Sequence, residues 1–162
     1  MANRQLILFI PARLIKMKYV HPFFIGVPNV VLMLILLLLS SENIFSNLPQ
    51  KILGLVFILS MIVLEKISHI SHKQAHTKAE KINKLVTTGI YSKIRHPIYL
   101  GWILFNIGAF LIIENLASLI VAAFFILFWY LEAKQEEKFM EMKFKEFKKY
   151  KEKTRMFFPR VC

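Results

Sequence analysis

The sequence predicts an all-α fold: an integral-membrane helical bundle of about four transmembrane helices, the last two a tight hairpin, followed by a C-terminal amphipathic cytoplasmic helix. Three observations carry this reading. Of the 162 residues, 56% are hydrophobic, above the roughly 45–50% usual for soluble domains. The excess is gathered into blocks divided by short polar or basic stretches. The blocks hold no charge, while Lys and Arg crowd their ends, as in spans anchored at two water interfaces. The chain reads as one membrane domain over 1–162, made of an interfacial segment (1–21), a four-span bundle (22–131) and a cytoplasmic helix and tail (132–162).

Residues 1–21 mix apolar side chains with Arg4, Arg13, Lys16 and Lys18, which suits a segment lying in the headgroup region. The first span, Pro22–Leu39, is broken only by Gly26, Pro28 and Asn29 within its apolar run. At 1.5 Å per residue it covers most of a hydrocarbon core roughly 30 Å thick. A cleaved signal peptide does not fit, because later blocks repeat the pattern and no small-residue cleavage site follows. Ser40–Gln50 is polar, with Pro49, and reads as a loop. The second span, Ile52–Leu64, is short, so Lys51 and Lys66 are expected to snorkel from its ends. Glu65–Lys93 is polar and basic, long enough for a helical extension and a loop.

The third span, Ile98–Ile113, and the fourth, Leu116–Leu131, are separated only by Glu114 and Asn115. Gly101 and Gly108 lie seven apart on one face of the third span, where they permit close helix contact. Tyr99, Trp102, Trp129 and Tyr130 fall at one end of this hairpin, the position of interfacial aromatics. The basic residues concentrate before residue 22, between Lys66 and Arg95, and after Leu131, whereas the opposite loops carry Lys51 alone. Both termini and the central loop are therefore expected on the cytoplasmic side. The tail Glu132–Lys153 reads as one amphipathic helix with Met140, Phe144, Phe147 and Tyr150 on its apolar side. On that wheel Glu136 projects into the apolar stripe and Glu137 sits at its border. A carboxylate there is costly unless a cation or donor compensates it.

The net charge is +12, and all ten acidic residues are Glu. Such a balance can indicate nucleic acid, but the flanking placement of the basic residues suits anionic membrane lipids, and no nucleic-acid motif is present. The single cysteine, Cys162, leaves no intrachain disulfide, and its terminal position does not make a prenylation box. His69, His72 and His76 share a helical face, but no Cys or Asp joins them and Lys66, Lys73 and Lys78 surround them. A headgroup-facing surface is the better reading than a metal site.

Chemistry concentrates in two places. Thr87-Thr88-Gly89 is a turn signal, Gly89 supplying a positive φ or a close backbone approach. Pro97 suits a helix start, which holds Arg95 and His96 at the mouth of the bundle. The segment Val86-Thr87-Thr88-Gly89-Ile90-Tyr91, with Arg95-His96-Pro97-Ile98-Tyr99-Leu100-Gly101, resembles the signature of the isoprenylcysteine carboxyl methyltransferase family, whose wider group includes membrane phospholipid methyltransferases. Glu136-Glu137, the segment Phe144–Tyr150 and Pro159 are similar to that family's paired glutamates, aromatic segment and closing proline. The likeness covers roughly residues 85–159. Lys145 replaces the family's usual glycine and Phe147 its first tyrosine.

The resemblance implies S-adenosylmethionine as cofactor, bound at the cytoplasmic end of the bundle under the C-terminal segment. It also implies a lipid-like or membrane-partitioned acceptor, with prenylcysteine carboxylate, phospholipid amine and small thiol all left open. No G-x-G-x-x-G follows a strand, in keeping with a site that is not a Rossmann domain. By this likeness Gly89, Tyr91, Arg95, His96, Pro97, Tyr99, Gly101, Glu136 and Glu137 form the cofactor shell, and Arg95, His96 and Glu137 are the catalytic set. The charges are compatible: glutamates can pair with the cofactor's ammonium and a guanidinium with its carboxylate. Two rival readings are a membrane sterol-type reductase using NADPH, which shares a His-Pro-x-Tyr element, and a non-catalytic membrane scaffold. The paired glutamates suit a cationic cofactor better than a polyanionic one.

Overall fold

The computed structural model describes residues 22–41, 46–72 and 82–159. The predicted interfacial segment 1–21, His76 and residues 160–162 lie outside the described residues. Within them the chain is helical: α1 (Pro22–Leu38), α2 (Leu48–Ser71), a 3-10 turn (Gly89–Ser92), α3 (Pro97–Ile113), α4 (Leu116–Lys143) and α5 (Phe147–Lys153). Two of these, α2 and α4, are long and apolar enough to cross a membrane, while α1 and α3 are shorter apolar helices. The outward face of α2 keeps Leu55, Leu59 and Ile62 about half exposed. In water that surface would be unfavourable; in hydrocarbon it is neutral, since all backbone groups of a helix are paired internally.

The tightest contact is between α2 and α3. Gly54 faces Gly108, and Gly101 faces Met61, so the register runs antiparallel. A Cβ at Gly108 would run into the Gly54 carbonyl. Gly101 and Gly108 do what their spacing predicts, and Gly54 completes the seam from the other side. Helix α2 starts earlier and ends later than the predicted span. Lys51, the fourth residue of the helix, turns toward the α3–α4 junction. Its side chain is 8% exposed, and its ammonium lies 3.8 Å from Glu114 at that junction, whose carboxylate also accepts from Asn47 at 2.9 Å. An acid from the neighbouring turn is a better partner for a buried ammonium than lipid is.

Helix α4 is continuous for 28 residues. It begins with a capping box, in which the Asn115 side chain accepts from the Ser118 amide and Ser118 returns a contact. The predicted fourth span and the first half of the predicted tail helix are thus one rod. The break comes at Phe144–Glu146, before α5. Phe147 and Tyr150 then fold back on Met140 and Ile82, forming a small second core at this end.

The main core also departs from expectation. Tyr99, Trp102 and Trp129 point inward and are buried, where lipid-interface aromatics were expected. Trp102 stacks on Trp129 with centroids 5.4 Å apart, and Tyr99 meets Trp129 at 5.8 Å. Position along the chain gives depth but not the facing direction, and packing between α3 and α4 sets the latter.

Candidate active site

The site is assembled where the segment before α3, the far end of α4 and the segment after α5 converge. Gly89 adopts φ 61°, and its Cα lies so close to Ser71 that a Cβ would meet the serine hydroxyl. This pins the 3-10 turn to the end of α2. The Tyr91 carbonyl accepts a 2.6 Å hydrogen bond from the Tyr150 hydroxyl, and the Tyr91 ring meets His72 edge-on at 5.7 Å. Next, Ile94 bridges in parallel with Arg155. The amides of Arg95 and His96 donate to the carbonyls of Arg155 and Met156 at 3.0 and 3.1 Å. Pro97 then opens α3 with His96 at its cap, as the sequence predicts.

Arg95 and Glu137 meet across 42 residues: Nε donates to Oε1 at 2.6 Å, with side chains 7% and 5% exposed. The same guanidinium donates through Nη1 to the Thr154 carbonyl. The other Glu137 oxygen lies 3.2 Å from the Lys151 ammonium, which also pairs with Glu141 at 2.7 Å. His96 stands between the two glutamates. Its Nδ1 is 3.9 Å from Glu136 Oε2, and its Nε2 is 3.4 Å from Glu137 Oε1 but off the line of a hydrogen bond, so this buried nitrogen has no hydrogen-bond partner among the described residues. Its ring lies 5.4 Å from Tyr99. Burial, above all, pushes the Tyr91 and Tyr150 phenols well above their ordinary value. The hydrogen bond to Glu141, and then Glu137, raises Lys151.

The residues named from sequence therefore divide by place. Arg95, His96, Glu136 and Glu137 come together. Tyr99 backs the imidazole, and Pro97 starts the helix that carries it. Gly89 and Tyr91 stand one layer away and brace the loop against α2 and α5. Gly101 faces Met61 in the α2–α3 seam. The order of the two glutamates is the reverse of the wheel's: Glu137 is the buried one, and Glu136 is 17% exposed at the mouth. Lys151 and Thr154 were not foreseen, because their contacts with Glu137 and Arg95 exist only once the chain turns back after Lys143.

Comparison with known proteins locates this geometry. The phospholipid methyltransferase family model matches residues 49–146. The protein-S-isoprenylcysteine O-methyltransferase of Xenopus laevis is 29% identical over 69% of this chain and 43% of its own length. That of Saccharomyces cerevisiae is 38% identical over 48% of the chain and 34% of its own length. The cobalt-zinc-cadmium resistance protein CzcN of Cupriavidus metallidurans is 36% identical over 53% and 40%. The aligned part thus spans well under half the length of each of these relatives. No solved structure gives a significant match. The family match contains the Arg95-His96-Pro97 segment, the α3–α4 pair and both glutamates, so the chain belongs to the phospholipid methyltransferase family of membrane methyltransferases.

Proposed function

We propose that this protein transfers the methyl group of S-adenosylmethionine to a membrane-partitioned acceptor, a phospholipid amine or a prenylcysteine carboxylate, at the end of the bundle where Arg95 and Glu137 meet. The observation that carries this reading is the buried 2.6 Å Arg95–Glu137 pair with His96 and Glu136 beside it. A mere helix clamp needs the pair alone. It does not need a second carboxylate at the mouth, nor a buried imidazole nitrogen without a hydrogen-bond partner. These residues fit the methionine end of the cofactor, which carries an ammonium, a carboxylate and a sulfonium. Glu136 is the acid open enough to take the ammonium. Glu137 and the Thr154 carbonyl hold the guanidinium of Arg95 in a fixed plane, ready for a carboxylate.

When bound, the cofactor supplies an already activated methyl carbon. What remains for the protein is orientation and the exclusion of water. Arg95 fixes one end, the tail that bonds to residues 95 and 96 covers it, and the Tyr99 ring behind His96 sets the imidazole plane. An amine acceptor has to lose a proton, and His96 is placed to accept it; a carboxylate acceptor needs no base. In this reading α1 to α4 are four membrane spans, with both termini and the site on the cytoplasmic side, where the Lys/Arg excess lies.

The test is transfer of radiolabelled methyl from S-adenosylmethionine by purified protein into total lipids and into prenylcysteines, alongside titration calorimetry with S-adenosylmethionine and with NADPH. Label in one acceptor class and binding of S-adenosylmethionine alone are expected. Glu136→Gln should weaken cofactor binding at least tenfold with an unchanged melting temperature. NADPH binding in place of S-adenosylmethionine, or unchanged affinity in the folded variant, refutes the assignment.

A further inference from the structure

Beneath the charged site the core contains neutral polar groups that the methyl-transfer reading does not use. Asn29 on α1 and Asn106 on α3 are both fully buried, as is Trp129 on α4. Neither amide atom of Asn29 has a hydrogen-bond partner among the described residues, nor does Asn106 Oδ1 or Trp129 Nε1. Asn106 uses only its Nδ2, on the Trp102 carbonyl at 2.8 Å.

All of them gather around Trp102. Trp129 stacks on it, Asn106 is one helical turn along and bonds its backbone, and Asn29 is one turn past Gly26, whose backbone packs against the Trp102 ring. Gly26, Asn29 and the buried Met33 share the inner face of α1. Leaving a buried amide unpaired is costly, and in a membrane bundle no bulk water offsets it. Polar side chains inside a membrane bundle either bond across helices or mark a ligand path, and these atoms make no cross-helix bond among the described residues.

We infer that this interior region is a binding site for an uncharged hydrogen-bonding group, a hydroxyl or carbonyl, of an apolar molecule dissolved in the membrane. Asn29 offers a donor and an acceptor, Asn106 an acceptor and Trp129 a donor, so an oxygen that both accepts and donates, or only accepts, can be satisfied. The buried acid nearest in sequence to Trp129 is Glu132, one turn along α4, and the buried cationic side chains, Lys51 and His96, belong to the α3–α4 junction and the charged site, so a phosphate headgroup would enter unpaired and is excluded by cost. The walls are aromatic, and they are continuous with the charged site: His96, Tyr99, Trp129 and Trp102 form a column of rings, each 5.4–5.8 Å from the next. Asn106 lies ten residues along from His96, about 15 Å at helical rise, so a molecule of a dozen carbons reaches from one site to the other.

The chain has two tryptophans, both in this site, so intrinsic tryptophan fluorescence reports on it directly and without reference to methyl transfer. The full-length protein in phosphatidylcholine nanodiscs is titrated with 1-dodecanol, dodecane and dodecyl phosphate. A saturable emission shift with dodecanol is expected, at least tenfold weaker or absent for the other two. In Asn29→Leu/Asn106→Leu the dodecanol response should weaken at least tenfold, while Glu136→Gln leaves it unchanged. Equal responses to dodecanol and dodecane in the wild type, or no saturable response, overturn the inference whatever the double variant does. A double variant that folds and binds dodecanol like wild type also overturns it, and shows that the amides serve only packing or internal water. Failure of methyl transfer with a retained dodecanol response counts against the proposed function alone.

Discussion

Replacing Arg95 with Met tests whether the buried pair organises this end of the molecule. Methionine keeps much of the side-chain volume and removes the charge. Truncating one partner of a buried ion pair costs about 3–5 kcal/mol, because the remaining charge is left in a poor dielectric. Lys151, 3.2 Å from the other Glu137 oxygen, softens that penalty, but its side chain is 43% exposed and its help is screened. The hydrogen bond from Arg95 to the Thr154 carbonyl is lost as well, about 1 kcal/mol. The sum lies near 4 kcal/mol, on the order of a thousandfold in the folding equilibrium. The assay is SDS titration of the protein in mild detergent micelles, followed by helix circular dichroism, for Arg95→Met, Glu137→Met and the double variant. If the pair is the organiser, the double variant should be less destabilised than the sum of the singles by about 2 kcal/mol. Single effects below about 1 kcal/mol, or simple additivity, would refute the reasoning. Arg95→Lys should fall between, since one ammonium cannot hold Glu137 and the Thr154 carbonyl at once.

Two further outcomes follow from the geometry. Gly108→Leu drives a side chain into the Gly54 carbonyl and should lower the unfolding free energy by about 3 kcal/mol, whereas Ile120→Leu on the exposed face of α4 should leave it unchanged; the same titration checks both. Alkaline pH should destabilise the protein. Tyr91 and Tyr150 are raised above 10.0 in the folded state, chiefly by burial, so above pH 10.0 the unfolded chain loses protons that the native state keeps, and stability present below that value falls as pH rises. Lys151, raised above 10.5, acts in the same direction. Melting temperatures at pH 8, 10 and 11 should show this decline, with a flatter slope in Tyr150→Phe.

How much could be read beforehand depended on whether a feature was local. Pro97 at a helix start, Gly89 in a turn and the facing of Gly101 and Gly108 are properties of a few neighbouring residues, and the structure has them where the sequence puts them. The need for a cation beside the glutamate pair was also legible, because an acid on an apolar stripe demands one. The choice between Glu136 and Glu137 was not. It turned on treating Glu132–Lys153 as one helix, when the rod runs on from Leu116 and stops at Lys143, so the phase of the wheel was carried across a break. The partner of Lys51, the inward turn of Trp102 and Trp129, and the roles of Lys151 and Thr154 depend on contacts between segments far apart in sequence. No periodicity encodes those.

The tail is fastened to residues 95 and 96 through main-chain amides and carbonyls, and the Arg95 guanidinium too ends on a Thr154 carbonyl. On the tail's side the latch uses carbonyls and does not read the tail's side chains. These backbone bonds do not depend on the side chains of Arg155, Met156 and Phe157, although Met156 and Phe157 also pack against the main core. A proline at position 95 or 96, by contrast, would remove a donor and open the latch whatever side chains the tail carries. The fastening of the tail is thereby separated, residue by residue, from the side chain of Phe157 that it brings beside the His96 ring.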